Sequence, residues 1–136
     1  MRIAIVSGYF DPLHRGHLEL IRRAKKYGEV HVIINNNKQC RLKKDKPFMD
    51  ELERAEIVTS LKDISGFMIS IDESRTVEKS LATIRAVYPY SEMVFVNGDE
   101  YTKKNCAEHK TCLKLGIKPI YGEGKKIQSS SWLLKK

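Results

Sequence analysis

Gly8-Tyr9-Phe10-Asp11-Pro12-Leu13-His14-Arg15-Gly16-His17 is the stretch that decides how this chain folds. Before it, Arg2-Ile3-Ala4-Ile5-Val6-Ser7 reads as a buried strand; after it, Leu18 to Tyr27 carries apolar residues at helical spacing and stops at Gly28. A strand enters a loop, and the loop enters a helix. The first N–H groups of such a helix carry partial positive charge and favour an anion, a phosphate above all. His14 and His17 share one face of that helix start, and Gly16 between them leaves room for a ligand's oxygens to approach the backbone. Two uses of the pair stay open: gripping a phosphoryl group, or one imidazole capping the helix while the other packs in the core.

The rest of the chain repeats the alternation. Val30-His31-Val32-Ile33-Ile34 reads as a second strand, broken by Asn35-Asn36-Asn37. Lys38 to Lys46 has no apolar periodicity and reads as a mobile basic loop ended by Pro47. Such a loop is either a solvated surface or a lid that closes over a bound polyanion, with Lys44 or Lys46 supplying the charge. Asp50 to Leu61 predicts a helix with acidic residues in its first turn. Within it Arg54 either pairs with Glu51 or Glu53 or reaches a phosphate.

Phe67 to Ile71 predicts a third strand, and Thr76 begins a helix through Leu81, Ile84 and Val87. Arg75 and Lys79 fall near that strand's C-terminal end, where open parallel sheets bind ligands, and are either surface charges or phosphate contacts. Met93 to Val96 predicts a fourth strand running into Asn97-Gly98-Asp99, where Asp99 is placed to cap the next helix, the one that carries Cys106, Cys112, Leu113 and Leu115. Ile117 to Tyr121 supplies a fifth strand. Gly122-Glu123-Gly124-Lys125-Lys126 follows, and Ser129-Ser130-Ser131 opens a last short helix, as N-caps or as a phosphate cradle.

Strands alternating with helices specify an α/β fold: a Rossmann-like five-stranded parallel sheet with helices on both faces. With 136 residues, 41% hydrophobic and 31% charged, the expectation is one domain over 1–136. No apolar run reaches membrane-spanning length and no signal-peptide pattern opens the chain, so a cytoplasmic protein without a membrane partner is expected. Cys40, Cys106 and Cys112 are odd in number and lack a C-x-x-C pair, so they read as reduced thiols. Cys106, His109 and Cys112 fit a plain helix surface better than a metal site, and no metal ligands are assigned. The net charge of +8 attracts anions in general. A nucleic-acid partner lacks the aromatic and basic stripe that single-strand binders use.

The decapeptide resembles the Gly-x-Phe-Asp-x-x-His-x-Gly-His signature of a nucleotidyltransferase superfamily that includes glycerol-3-phosphate cytidylyltransferases and heptose-phosphate nucleotidyltransferases. Ile127-Gln128-Ser129-Ser130-Ser131 is similar to that superfamily's Ile-Ser-(Ser/Thr)-(Ser/Thr) run near the C-terminus. The resemblance implies transfer of a nucleotidyl group from a nucleoside triphosphate, with Mg²⁺, to a small phosphate or phosphonate acceptor, releasing pyrophosphate. It implies catalytic roles for His14 and His17, with Lys44 or Lys46. Gly8, Tyr9, Phe10, Gly16, Gly98, Asp99, Lys126, Ser129, Ser130 and Ser131 would bind the nucleotide, and Asp11, Arg54, Arg75 and Lys79 the acceptor. CTP is the expected nucleotide. Glycerol-3-phosphate cytidylyltransferases carry Arg-Thr-Glu-Gly before the serine run, where this chain has Gly122 to Lys126 with a lysine in the arginine's place, which keeps ATP as the alternative. Family members are often homodimers. A non-catalytic nucleotide-binding module is the remaining alternative.

Overall fold

The computed structural model describes residues 1–98 and 100–122. The elements run β1 (Arg2–Gly8), α1 (Arg15–Lys25), β2 (Glu29–Ile34), α2 (Asn37–Lys44), α3 (Glu51–Thr59), β3 (Ile64–Ile69), α4 (Glu78–Val87), β4 (Glu92–Val96), α5 (His109–Lys114) and β5 (Ile117–Ile120). All strands are parallel, in the order β3-β2-β1-β4-β5. The chain builds outward from β1 to β3, then returns to the other side of β1 for β4. That reversal opens a crevice at the C-terminal ends of β1 and β4, the place where open α/β sheets take ligands. The signature loop leaves β1 at this point.

Alternation along β1 divides the core. Ile3 and Ile5 face Leu81 and Ile84 of α4 and Cys112 of α5, whereas Ala4 and Val6 face Ile21 and Ala24 of α1 and Ala55 and Val58 of α3. Helices therefore cover both faces, as the alternating pattern predicts. The turn from α1 into β2 passes so close to β1 that a Cβ on Gly28 would lie 2.4 Å from the Arg2 carbonyl oxygen. Only glycine fits there.

Three expectations are corrected. The segment read as a mobile basic loop is mostly the helix α2, because Asn36 caps its first turn: the Asn36 side chain accepts from the Gln39 N–H at 2.9 Å, and Gln39 Oε1 accepts from the Asn36 N–H at 3.0 Å. The third strand lies at Ile64–Ile69, so Ser70 and Ile71 belong to the following loop. Cys106 precedes α5 and, like Cys112, is buried in the core, not displayed on a helix surface. Among the described residues no helix is long and apolar enough to cross a membrane.

Candidate active site

The crevice edge is built around the start of α1. His14 is the N-cap, and its Nδ1 accepts from the Gly16 N–H at 3.0 Å; His17 Nδ1 accepts from the His14 N–H at 3.1 Å. The two imidazoles thus close a reciprocal cap and stack at 3.8 Å between ring centres. Because Nδ1 of each ring accepts, each neutral ring carries its hydrogen on Nε2, on the side away from the backbone. The pair therefore caps the helix through Nδ1, with Nε2 as the donor atom of each ring. The alternatives left open by the sequence combine, with one qualification: His14 already occupies the Gly16 N–H that an anion would otherwise meet.

Burial, and after it the nearness of His14 and Lys43, pushes the His17 imidazole down to about 3. His17 is a neutral donor at physiological pH. Phe10 holds it from beneath, ring centres 4.6 Å apart, and is itself buried with a left-handed φ of 51°. Gly8 makes room for that ring, since a Cβ there would sit 3.1 Å from the Phe10 ring carbon.

Beneath this rim lies a polar framework. Arg54 is fully buried and spends its guanidinium on the protein. Nε donates to Met49 O (3.0 Å), Nη1 to Tyr9 O (2.7 Å) and Asn35 O (2.6 Å), and Nη2 to Asn37 Oδ1 (2.9 Å). One side chain thereby joins the loops after β1 and β2 to the start of α3. Asp11 is likewise fully buried: it meets Lys44 Nζ at 2.8 Å and accepts from the Phe48 and Met49 N–H groups at 2.8 and 2.7 Å. Burial alone would raise the Asp11 carboxyl, but the bonds to Lys44, Phe48 and Met49 outweigh it and hold it below the usual range. Asp11 and Arg54 thus have framework tasks in place of the expected acceptor contact, and Arg54 pairs with neither Glu51 nor Glu53. Lys44 is the strut of Asp11, not a residue on a swinging loop; Lys46 is exposed beyond it.

A cation that does lie beside this rim is Lys43, which sequence reasoning passed over. Its Nζ lies 4.4 Å from the centre of the Tyr9 ring, and its charge is felt at His17. A helical reading of residues 37–44 would have separated Lys43 from Lys44 by 100°, and the Asn36-x-x-Gln39 cap was the signal for it. Arg75 lies exposed on the loop after β3, and its positive charge is felt at the Tyr9 phenol. Lys79 has its N–H bound to Asp72 Oδ2 at 2.7 Å and an exposed side chain. Gly98 ends the β4 side of the crevice, where the Asn97 side chain ties Phe95 O to Ile120 O. Asp99, Lys126, Ser129, Ser130 and Ser131 lie outside the described residues.

No group of three or more His, Cys, Asp or Glu side chains among the described residues could hold a metal ion. The Asp11 carboxylate, just before the histidines in the chain, is already committed to Lys44 and two N–H groups, and Glu19, just after them, pairs with Arg22 and Arg23. These residues do not form a protein-held Mg²⁺ site.

The Cytidylyltransferase-like family model matches residues 5–128. The bifunctional protein HldE of Geobacter metallireducens is 35% identical over 104 residues, which is 74% of this chain and 20% of that protein. The chain thus spans a fifth of the length of this relative. The lipopolysaccharide core biosynthesis protein from Thermoplasma volcanium superposes with a TM-score of 0.66 at 18% identity, covering 90% of this chain and 96% of the other. A bifunctional NMN adenylyltransferase/ADP ribose pyrophosphatase from Francisella tularensis gives 0.66 at 15% identity, covering 98% of this chain and 41% of the other. At these identities the two structures speak for the fold.

Proposed function

Since this chain belongs to the cytidylyltransferase-like family, we propose that it transfers a nucleotidyl group from a nucleoside triphosphate to a small phosphate or phosphonate acceptor. CTP is the proposed donor and ATP the alternative. An acceptor oxygen attacks the α-phosphorus, the bond from that phosphorus to the α,β-bridging oxygen breaks, and pyrophosphate leaves with the electron pair. Such a step needs alignment and charge stabilisation and no covalent protein nucleophile. Mg²⁺, where required, would arrive on the triphosphate as part of the substrate.

The observation that carries this reading is the reciprocal cap of His14 and His17. It commits Nδ1 of both rings to the backbone, which makes Nε2 the donor atom of each, and His17 would offer its Nε2–H to the oxygens on which charge grows as the α-phosphorus is attacked. His17, kept neutral by burial, donates without requiring a proton from solvent. Lys43 adds a positive charge on the same rim. The serine run and Lys126 are assigned to the β- and γ-phosphates on the strength of the resemblance alone.

The test is pyrophosphate release by the purified chain, with CTP and ATP in parallel, over a panel of phosphorylated alcohols and sugars. Release with CTP at least tenfold faster than with ATP is expected, and faster release with ATP selects the alternative. His17→Ala should lower kcat about 100-fold or more, the typical worth of one oxyanion donor, while the circular dichroism spectrum is kept. Turnover by that variant at the wild-type rate would remove the histidine pair from the mechanism. Absence of release with every pairing would leave a binding module.

A further inference from the structure

The helix α2 is held in place almost without apolar burial. Gln39 and Cys40 are its buried residues, so a helix of eight residues takes little from the hydrophobic effect and is too short to persist by itself. Side-chain hydrogen bonds fasten it. At its head Asn36 Nδ2 donates to Ser70 O (2.8 Å) and Asp72 O (2.9 Å), and at its tail Lys44 Nζ meets the Asp11 carboxylate at 2.8 Å. Between them the Gln39 amide is fully buried and uses its whole capacity. Oε1 accepts from Asn35 Nδ2 (3.1 Å) and the Asn36 N–H (3.0 Å), while Nε2 donates to Ser74 O (2.7 Å) and Thr76 O (2.8 Å). The partners settle which end of the amide is oxygen, since the Asn36 N–H can only donate and the two carbonyls can only accept.

Gln39 and Lys43 stand at i and i+4 on one face of α2, with Lys44 about 100° further round. The face fastened to residues 74–76 is therefore the face that carries Lys43 to within 4.4 Å of the Tyr9 ring centre and close enough for its charge to reach His17. Hydrogen bonds are directional, so a bound amide fixes the turn of the helix about its axis, which an apolar side chain in the same slot would leave free. A turn of about 20° moves a side-chain tip that lies roughly 5–6 Å from the axis by about 2 Å. A displacement of that size is enough to lose an aligned charge contact.

We propose that Gln39 is a positioning residue for the triphosphate, acting through Lys43: its amide fixes the turn of α2 that sets Lys43 at the His17 rim. The inference rests on the nucleotidyl-transfer reading and adds to it a buried residue that touches neither substrate.

Titration calorimetry with the α,β-methylene analogues of CTP and ATP in parallel tests this without an acceptor. Wild type should bind at least one analogue, and Lys43→Ala should weaken that binding about tenfold. Gln39→Met keeps the length of the side chain and removes its hydrogen bonds; it should weaken the analogue about threefold to tenfold and lower the thermal midpoint. In the Lys43→Ala background Gln39→Met should weaken the analogue no further, while the midpoint falls by the same amount as before. Gln39→Glu keeps an acceptor for the Asn36 N–H and sets an oxygen against the two carbonyls, and should repeat the binding loss. A merely structural glutamine would lower the midpoint and leave the affinity in place. That result, effects of Gln39→Met and Lys43→Ala that multiply, a Lys43→Ala variant that binds like wild type, failure of both Gln39 variants to fold, or a wild type that binds neither analogue would each overturn the proposal. The expected pattern without pyrophosphate release would keep the positioning role and sink the reaction. Release without the pattern would do the reverse.

Discussion

Two polar clusters share the C-terminal edge of the sheet, and they differ in where their hydrogen bonds end. Around Arg54 and Asp11 both charged side chains are fully buried and their partners are carbonyls, N–H groups and side chains of neighbouring loops. Around His14 and His17 the inner nitrogens are bound to backbone, and the outer ones carry the hydrogens. The signature loop contributes to both, Asp11 to the first and the histidines to the second. A single motif thus contains a part that builds the edge and a part that caps α1 at the crevice, and resemblance to a family does not separate them.

The sharpest way to break this contrast is Arg54→Met, which keeps much of the volume and removes every donor. The carbonyls of Met49, Tyr9 and Asn35 would lose a buried partner together, so a loss of about 3 kcal/mol or more is expected. For a chain of this size that is roughly 10 °C in thermal midpoint, read by calorimetry. A midpoint within 2 °C of wild type, with acceptor binding abolished, would return Arg54 to the ligand contact that the sequence suggested.

The lysines of α2 sharpen the same division on a smaller scale. Lys44→Ala strands the buried Asp11 carboxylate and should lower stability by about 1–3 kcal/mol. Lys43→Ala should leave the melting curve in place and lower kcat/KM for the triphosphate about tenfold, the worth of one charge-assisted contact. Lys46→Ala should do little to either. Should Lys43→Ala melt early while Lys44→Ala loses turnover, the two lysines would exchange roles.

What the sequence shows of this edge, and what it hides, follows from the range of the interactions. The strands of Ile3 to Val6, Val30 to Ile34 and Met93 to Val96 are legible because apolar runs announce themselves locally, and the parallel order follows from their alternation with helices. α2 was hidden because Gln39 and Cys40 are its only buried residues, and the Gln39 side chain is held by the carbonyls of Ser74 and Thr76, about thirty-five positions away. The burial of Arg54 was hidden for the same reason: its partners come from three separate loops, and its helical neighbours Glu51 and Glu53 suggested a local pairing that does not form. The histidine cap was half legible, since spacing put both rings on one face but could not assign which nitrogen binds the backbone.

The most gradual effect is on acid stability, and its main source is the histidine cluster. The unfolded chain charges His17 near pH 6.5, whereas the buried ring in the fold resists until about pH 3. The unfolded state therefore binds more protons through that interval, so the contribution is complete above pH 6.5 and drains away as the pH falls toward 3. His31, also lowered by burial, acts in the same direction, and so does Asp11, whose carboxyl is held below its usual range. Thermal midpoints should be flat from pH 8 to 7 and decline below 6.5. His17→Asn, which keeps an acceptor for the His14 N–H, should flatten that decline. In kcat no step from His17 is expected between pH 5 and 9, so an acid limb near pH 6 belongs to the second ionisation of the acceptor phosphate, at about 6, and should move when a phosphonate replaces it. A limb that ignores the acceptor and vanishes in His17→Asn would mean that the ring charges during turnover, and the contrast between a neutral donor edge and a charged framework would fail.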